Sequence, residues 1–113
     1  MNLLTRQNGE ATIVDVAGDI TVYRSPELRK VLLELIKDKK TPYVIVNLTQ
    51  VPYIDSAGVA SLIEGLKASR DAKSRFALYG LSRVAREVLE LTHLHKVFAI
   101  YEGEADALKA KTE

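Results

Sequence analysis

The spacing of apolar residues changes character several times along the chain, and each change marks an element. Residues 3–7 and 11–17 carry short extended patterns on either side of Asn8-Gly9, and Asn-Gly between such segments predicts an antiparallel hairpin. Gly18-Asp19-Ile20-Thr21 ends that hairpin. Ser25-Pro26-Glu27 then reads as a helix start, with serine at the N-cap, proline at the first helical position and an acid in the first turn. Leu28, Val31, Leu32, Leu35 and Ile36 recur on one face of this helix, and Thr41-Pro42 stops it. Residues 43–48 are apolar and β-branched with no polar alternation, the pattern of a central parallel strand covered on both faces.

Val59, Leu62, Ile63 and Leu66 form a full i, i+3, i+4, i+7 set and predict a second helix. Residues 76–79 form the next strand, and Gly80-Leu81-Ser82 turns into a third helix presenting Leu81, Val84, Ala85 and Val88. Residues 97–101 make the last strand, and 104 to about 109 a short closing helix. Strands alternating with helices after an opening hairpin predict an α/β fold. The expected architecture is one domain over residues 1–113, a mixed sheet of four to five strands with a mostly parallel interior, and about four helices.

Composition narrows the class. A chain of 113 residues with 47% apolar and 27% charged residues has the size and content of one globular domain, large enough to close its own core. It has no cysteine, which excludes a disulfide framework, thiolate metal sites and thiol catalysis and fits a reducing compartment. Met1 to Gln7 lacks the apolar stretch and cleavage site of a signal peptide, and no apolar run approaches the roughly 18–20 residues that span a bilayer. A soluble cytoplasmic protein without membrane insertion is expected. Lysine and arginine total 16 against 15 acids, and the signs are interspersed. The densest basic stretch, Lys37-Asp38-Lys39-Lys40, stands where a helix should end and complements its dipole, so no direct nucleic-acid partner is expected.

The stretch richest in chemistry is Val51-Pro52-Tyr53-Ile54-Asp55-Ser56-Ala57-Gly58-Val59, which joins the buried strand to the second helix. Loops at the carboxyl ends of strands gather function in open α/β sheets. Ser56 would stand at a helix N-terminus, where orphan N–H groups and the dipole tolerate a phosphate. Spacing alone favours the ordinary reading, with Asp55 or Ser56 an N-cap and Gly58 a packing glycine, because Ser and Asp are preferred caps. Other signals carry less. His93 and His95, the only histidines, lack a third ligand for zinc, and His93 is better placed to serve a helix end. Asp15 and Asp19 do not make a catalytic pair without a cleft that perturbs them. Gly58 and Gly65 enclose no P-loop, and Ser56 lacks a nucleophile elbow and a histidine base. No catalytic residue, cofactor or metal site is expected, and an enzyme is not expected.

The motif Asp55-Ser56-Ala57-Gly58 after Asn47-Leu48-Thr49-Gln50-Val51-Pro52-Tyr53-Ile54 resembles the signature of STAS domains, specifically bacterial anti-sigma factor antagonists (anti-anti-sigma factors). The likeness continues through Gly80-Leu81-Ser82, Val88-Leu89-Glu90-Leu91-Thr92, Val97-Phe98 and Glu104-Ala105-Asp106-Ala107-Leu108, so it covers nearly the whole chain in order. The resemblance implies a partner switch. Such proteins bind an anti-sigma factor, often itself a serine kinase of the ATPase fold, and let go when the motif serine, here Ser56, is phosphorylated; a serine phosphatase resets them. Asp19, Thr21, Asp55, Ser56, Ala57 and Gly58 are the implied partner-binding residues. Two positions depart from the family pattern: Thr21 replaces the acid that often closes the Gly-Glu-(Leu or Ile)-Asp segment, and His93 stands where glycine is frequent. Histidine there would have to cap a helix in the left-handed conformation. STAS domains also occur in membrane-lipid and anion transport assemblies, which gives a second expectation from the same resemblance.

Overall fold

The computed structural model describes residues 2–110. Strands β1 (Asn2–Asn8) and β2 (Ala11–Ala17) pair antiparallel, with Asn8 opposite Ala11. The two turn residues are therefore Gly9 and Glu10, one step later than the Asn-Gly signal placed them. Gly9 has φ +63° while Glu10 is not left-handed, the signs of a type II′ turn, which asks for glycine first. The chain continues through α1 (Ser25–Leu33), β3 (Tyr43–Gln50), α2 (Ser56–Asp71), β4 (Arg75–Tyr79), α3 (Arg83–Leu91), β5 (Ala99–Tyr101) and α4 (Glu104–Lys109). A π-helical turn, Glu34–Asp38, prolongs α1, and a 3₁₀ turn, Leu94–Lys96, precedes β5.

The five strands lie in the order β1-β2-β3-β4-β5, with every pair after the hairpin parallel. Right-handed crossovers that never reverse direction put α1, α2 and α3 on one face of the sheet. That face holds the larger core, in which Leu28, Leu32, Ile36, Leu62 and Leu89 meet Val14, Val46, Leu48 and Leu78. The other face packs Ile13, Tyr43, Ile45 and Tyr79 under Ala107 of α4. β3 thus has cores on both sides, as its unbroken apolar run required.

Several local expectations shift by a residue. Arg24, not Ser25, is the N-cap of α1, and Ser25 is buried inside the first turn. Its amide is already taken by the Thr21 carbonyl at 2.7 Å, and its own carbonyl accepts from the Ser61 hydroxyl of α2 at 3.1 Å. α3 buries Ala85 and Leu89, with Val88 partly covered, and turns Val84 to solvent. Ser82 caps this helix by accepting from the Ala85 amide, which rotates the apolar face one step away from Val84.

α4 is held to the open face by polar groups. Tyr43 donates its hydroxyl to the Ala107 carbonyl at 2.8 Å. Glu104 accepts from Arg6, Asn8 and Tyr79, and Arg6 also forks onto Asp15, which Asn47 supports. The Arg6 guanidinium, seconded by the Tyr79 and Asn8 donors, holds the Glu104 carboxyl down to about 2, against an ordinary 4.5. Arg6 also lowers Asp15, while burial and Glu104 push Tyr79 up to about 12. A depressed carboxyl binds its proton less well folded than unfolded, so its stabilisation is complete above the ordinary carboxyl range and drains as pH falls toward the folded value. Urea titrations should show stability declining between about pH 4.5 and 2, and Glu104→Gln should flatten part of that decline. An unchanged profile in the variant would mean that Glu104 does not fasten α4.

Candidate functional site

The candidate site lies beyond the carboxyl ends of β2 and β3. After β2 the chain keeps running beside the continuation of β3. Gly18 donates to the Gln50 carbonyl at 2.9 Å, Ile20 to Tyr53 at 3.0 Å, and Asp55 back to Ile20 at 3.1 Å, around a parallel bridge between Ile20 and Ile54. Ile20 and Ile54 are both buried and anchor the two segments to the larger core.

Asp55 is the N-cap of α2. One carboxylate oxygen accepts from the Gly58 amide and the other from the Val22 amide, each at 2.9 Å. The sequence left the cap open between Asp55 and Ser56; the structure gives it to Asp55 and places Ser56, exposed, as the first helical residue. Gly58 is buried. A Cβ added there would stand 2.7 Å from the Ile20 carbonyl oxygen and 2.7 Å from the Ile54 side chain, so only glycine permits this approach. Gly58 amide and Val59 amide bind Asp55, while those of Ser56 and Ala57 have no protein acceptor among the described residues. The start of this 16-residue helix therefore offers two unused donors and the positive dipole end beside an exposed hydroxyl.

Of the six residues singled out in the sequence, the structure brings all to this end of the sheet. Asp19 and Ser56 are exposed, Thr21, Asp55 and Ala57 half-buried, and Gly58 sits beneath them shaping the turn. Sequence reasoning passed over Val22 and Tyr23, and gave Tyr53 no role beyond its place in the motif. Val22, Tyr23 and Tyr53 are 57%, 87% and 44% exposed, an apolar rim flanking the Asp55–Ser56 turn. Their signal was present as apolar residues in loops that fit neither helical nor strand period. The third loop joins in, since the Ser82 hydroxyl donates to the Pro52 carbonyl at 3.1 Å. His93, at φ +60°, does cap α3 in the left-handed conformation, its amide donating to Glu90.

An open α/β sheet with an opening hairpin, helices α1 to α3 on one face and an Asp-Ser-Ala-Gly turn at the start of α2 defines a class of protein that has close counterparts. The STAS domain pattern matches residues 2–107, and the chain belongs to the STAS domain family. It is 32% identical over 97 residues to an anti-sigma-B factor antagonist of Listeria monocytogenes, covering 84% of each chain. Its fold is shared with a solved anti-sigma factor antagonist from Mycobacterium paratuberculosis, at TM-score 0.85 and 23% identity over 95% of this chain and 90% of that one. It is shared too with the Bacillus cell fate determinant SpoIIAA in its phosphorylated form, at TM-score 0.74 and 17% identity over 95% and 96% of the two chains.

The geometry separates two kinds of residue within one motif. Asp55→Ala removes the cap and the Val22 tie together, and should cost about 2–3 kcal/mol, a fall in Tm of roughly 10 °C. Ser56→Ala should stay within about 0.5 kcal/mol of the parent, as surface substitutions do. Thermal melts and hydrogen exchange at the Val22 amide check both. Equal losses from the two variants would place Ser56, too, in the structural framework.

Proposed function

We propose that this protein is an anti-sigma factor antagonist whose hold on its partner is switched by phosphorylation of Ser56. The observation that carries this reading is the exposed Ser56 hydroxyl on the first turn of α2, set between unused amide donors and the apolar rim of Val22, Tyr23 and Tyr53. Exposed aromatic residues beside polar anchors are the usual make-up of an interface centre. The partner is an anti-sigma factor, as the relatives named anti-sigma-B factor antagonist support; in this scheme it is also a serine kinase of the ATPase fold, a reading that rests on the resemblance carried by the motif around Ser56. Asp19, Thr21, Asp55, Ser56 and Ala57 form the docking face, with Gly58 setting its shape. A serine phosphatase returns the protein to its binding state.

In this scheme the protein transforms no substrate. It acts by occupying its partner, in the cytoplasm, and among the described residues no helix is long and apolar enough to cross a membrane. A phosphate adds about −1.5 to −2 charges. At the free helix start these are tolerated; within a docked, water-poor interface they are not. Mispairing a desolvated charged contact costs about 2–5 kcal/mol, so affinity should fall by roughly 30-fold to several thousand-fold.

Incubation with the cognate kinase and ATP should modify Ser56 and leave Ser25, Ser61, Ser69, Ser74 and Ser82 unmodified; Ser25, Ser61 and Ser69 are buried. Calorimetric titration of that kinase should then show the stated loss for the phosphorylated protein, with thermal melts of both forms alike. Equal affinities, or a loss explained by unfolding, would defeat the switch. Capture of a permease or a transporter ATPase in place of a kinase would instead favour a transport-assembly subunit.

A further inference from the structure

We infer that the cavity at the pole opposite Ser56 is a binding site for a small organic anion, a carboxylate or phosphate ester carried on a short apolar body. This inference is independent of the switch at Ser56. The cavity, of about 730 Å³, opens between the ends of the α1 extension and α2 and the beginnings of β3 and β4. α2 starts at Ser56 and ends at Asp71, so at about 1.5 Å per residue roughly 24 Å separate the two sites.

Its lining divides into two parts. Ile36, Pro42 and Ala68 give an apolar floor, and Ile36 and Ala68 are buried members of the larger core's side of the sheet. Around this floor stand Lys37, Lys40 and Lys73, opposed by one acid, Asp71. Among the described residues none of these three lysines is in an ion pair. Arg75 also borders the cavity, but its guanidinium is turned to the α4 face, 3.9 Å from the centre of the Tyr43 ring and donating to the Ala110 carbonyl at 2.7 Å, so it is not one of the site's cations.

Lys40 and Lys73 are the unusual pair. Each follows a helix end in the left-handed conformation, at φ +51° and φ +58°, where glycine is the unstrained choice. The turns themselves are well made: Ser74 donates to the Ser69 carbonyl at 2.8 Å and Thr41 to the Leu35 carbonyl at 3.0 Å. Nothing in those turns requires lysine, yet both strained positions carry it and both line the same cavity. Two helix C-termini at this pole bring about half a negative charge each. Against these and Asp71, the three lysines still leave a positive balance of about one charge over an apolar floor, which suits an amphipathic anion.

The test is an NMR titration of the isotope-labelled full chain with octanoate, using 1-octanol and inorganic phosphate as arms that carry the apolar body or the charge alone. Octanoate should move the amides of Lys40, Ala72, Lys73 and Ser74, and not that of Ser56, saturating at a concentration about tenfold or more below either control. The double variant Lys40→Gly, Lys73→Gly relieves both left-handed residues, so its Tm should hold or rise while octanoate binding weakens about tenfold. Lys37→Gln, outside the strained turns, should weaken binding in the same direction. The proposal is overturned if octanoate produces no saturable shift at these amides, if octanol binds equally well, or if the double variant binds octanoate undiminished. That last result would make the two lysines helix caps only.

Discussion

Two loops that leave neighbouring strands in the same direction would normally splay apart, and here three backbone hydrogen bonds and one carboxylate hold them side by side. Asp55 starts α2 with one oxygen and fixes the Val22 amide with the other, while its amide returns to Ile20. The contact is possible only because Gly58 leaves room for the Ile20 carbonyl. The burial of Ile20 and Ile54 follows from this arrangement, and so does the position of the Val22-Tyr23 rim beside Ser56. Within the motif, Asp55 and Gly58 are accounted for by structure. Ser56 is the polar member whose side chain is exposed and makes no hydrogen bond among the described residues, so chemistry from outside the molecule can reach it without dismantling the turn.

The straight strand order has consequences at both poles. Because the order never reverses, the sheet opens no crevice between diverging crossovers of the kind that holds dinucleotides in doubly wound folds. The carboxyl-end pole is instead a surface of loops tied to one another by Ile20–Tyr53 and Ser82–Pro52 hydrogen bonds. Such a surface suits docking a protein better than enclosing a small molecule. At the opposite pole, α1 and α2 end near the beginnings of β3 and β4 and leave a half-open pocket. Among the described residues the second face of the sheet has one helix for cover, the six residues of α4. Its burial is correspondingly supplemented by the Arg6, Asp15, Glu104 and Tyr79 network.

Much of this was legible in the residues. The bounds of β2 and α4, the two-faced burial of β3 and the helical face of α2 follow from apolar period alone, since burial on one or two sides dictates them. What was missed depends on contacts between elements. Ser25 reads as a cap until the Thr21 carbonyl claims its amide and α2 covers it. Val84 fits the helical spacing, but the Ser82 cap sets the helix phase and Ala85 takes the buried position. The π turn at Glu34–Asp38 appears in no periodicity; the Lys39 amide reaches Glu34, five residues back, where an ordinary helix would reach four. At the site, the Asp-Ser-Ala-Gly spacing located the turn but could not divide the work between Asp55 and Ser56, because that division rests on which carboxylate oxygen meets Val22.

Whether a phosphate on Ser56 would act on the fold or on the interface can be decided by magnitude. The start of α2 favours a single negative charge by about 0.3–1 kcal/mol at an exposed site, and up to roughly twice that for the double charge of a phosphate. The neighbouring Asp55 carboxylate opposes it. Two like charges about 6 Å apart in water repel by about 0.7 kcal/mol, hence roughly 1–1.4 kcal/mol for the phosphate, and physiological salt reduces this further. The two contributions cancel to within about 1 kcal/mol, small beside the roughly 5–15 kcal/mol that holds a domain folded. Asp55 also keeps its two amide donors, which a phosphate with unused amides of its own at Ser56 and Ala57 has no need to take. The fold is therefore indifferent to the modification. A partner seated on Val22, Tyr23 and Tyr53 would strip the water that makes it so, and in that drier setting the same charge becomes several times more costly. The turn can thus carry a switch whose effect is felt only in the complex, because Asp55 and Gly58 maintain the structure whichever state Ser56 is in.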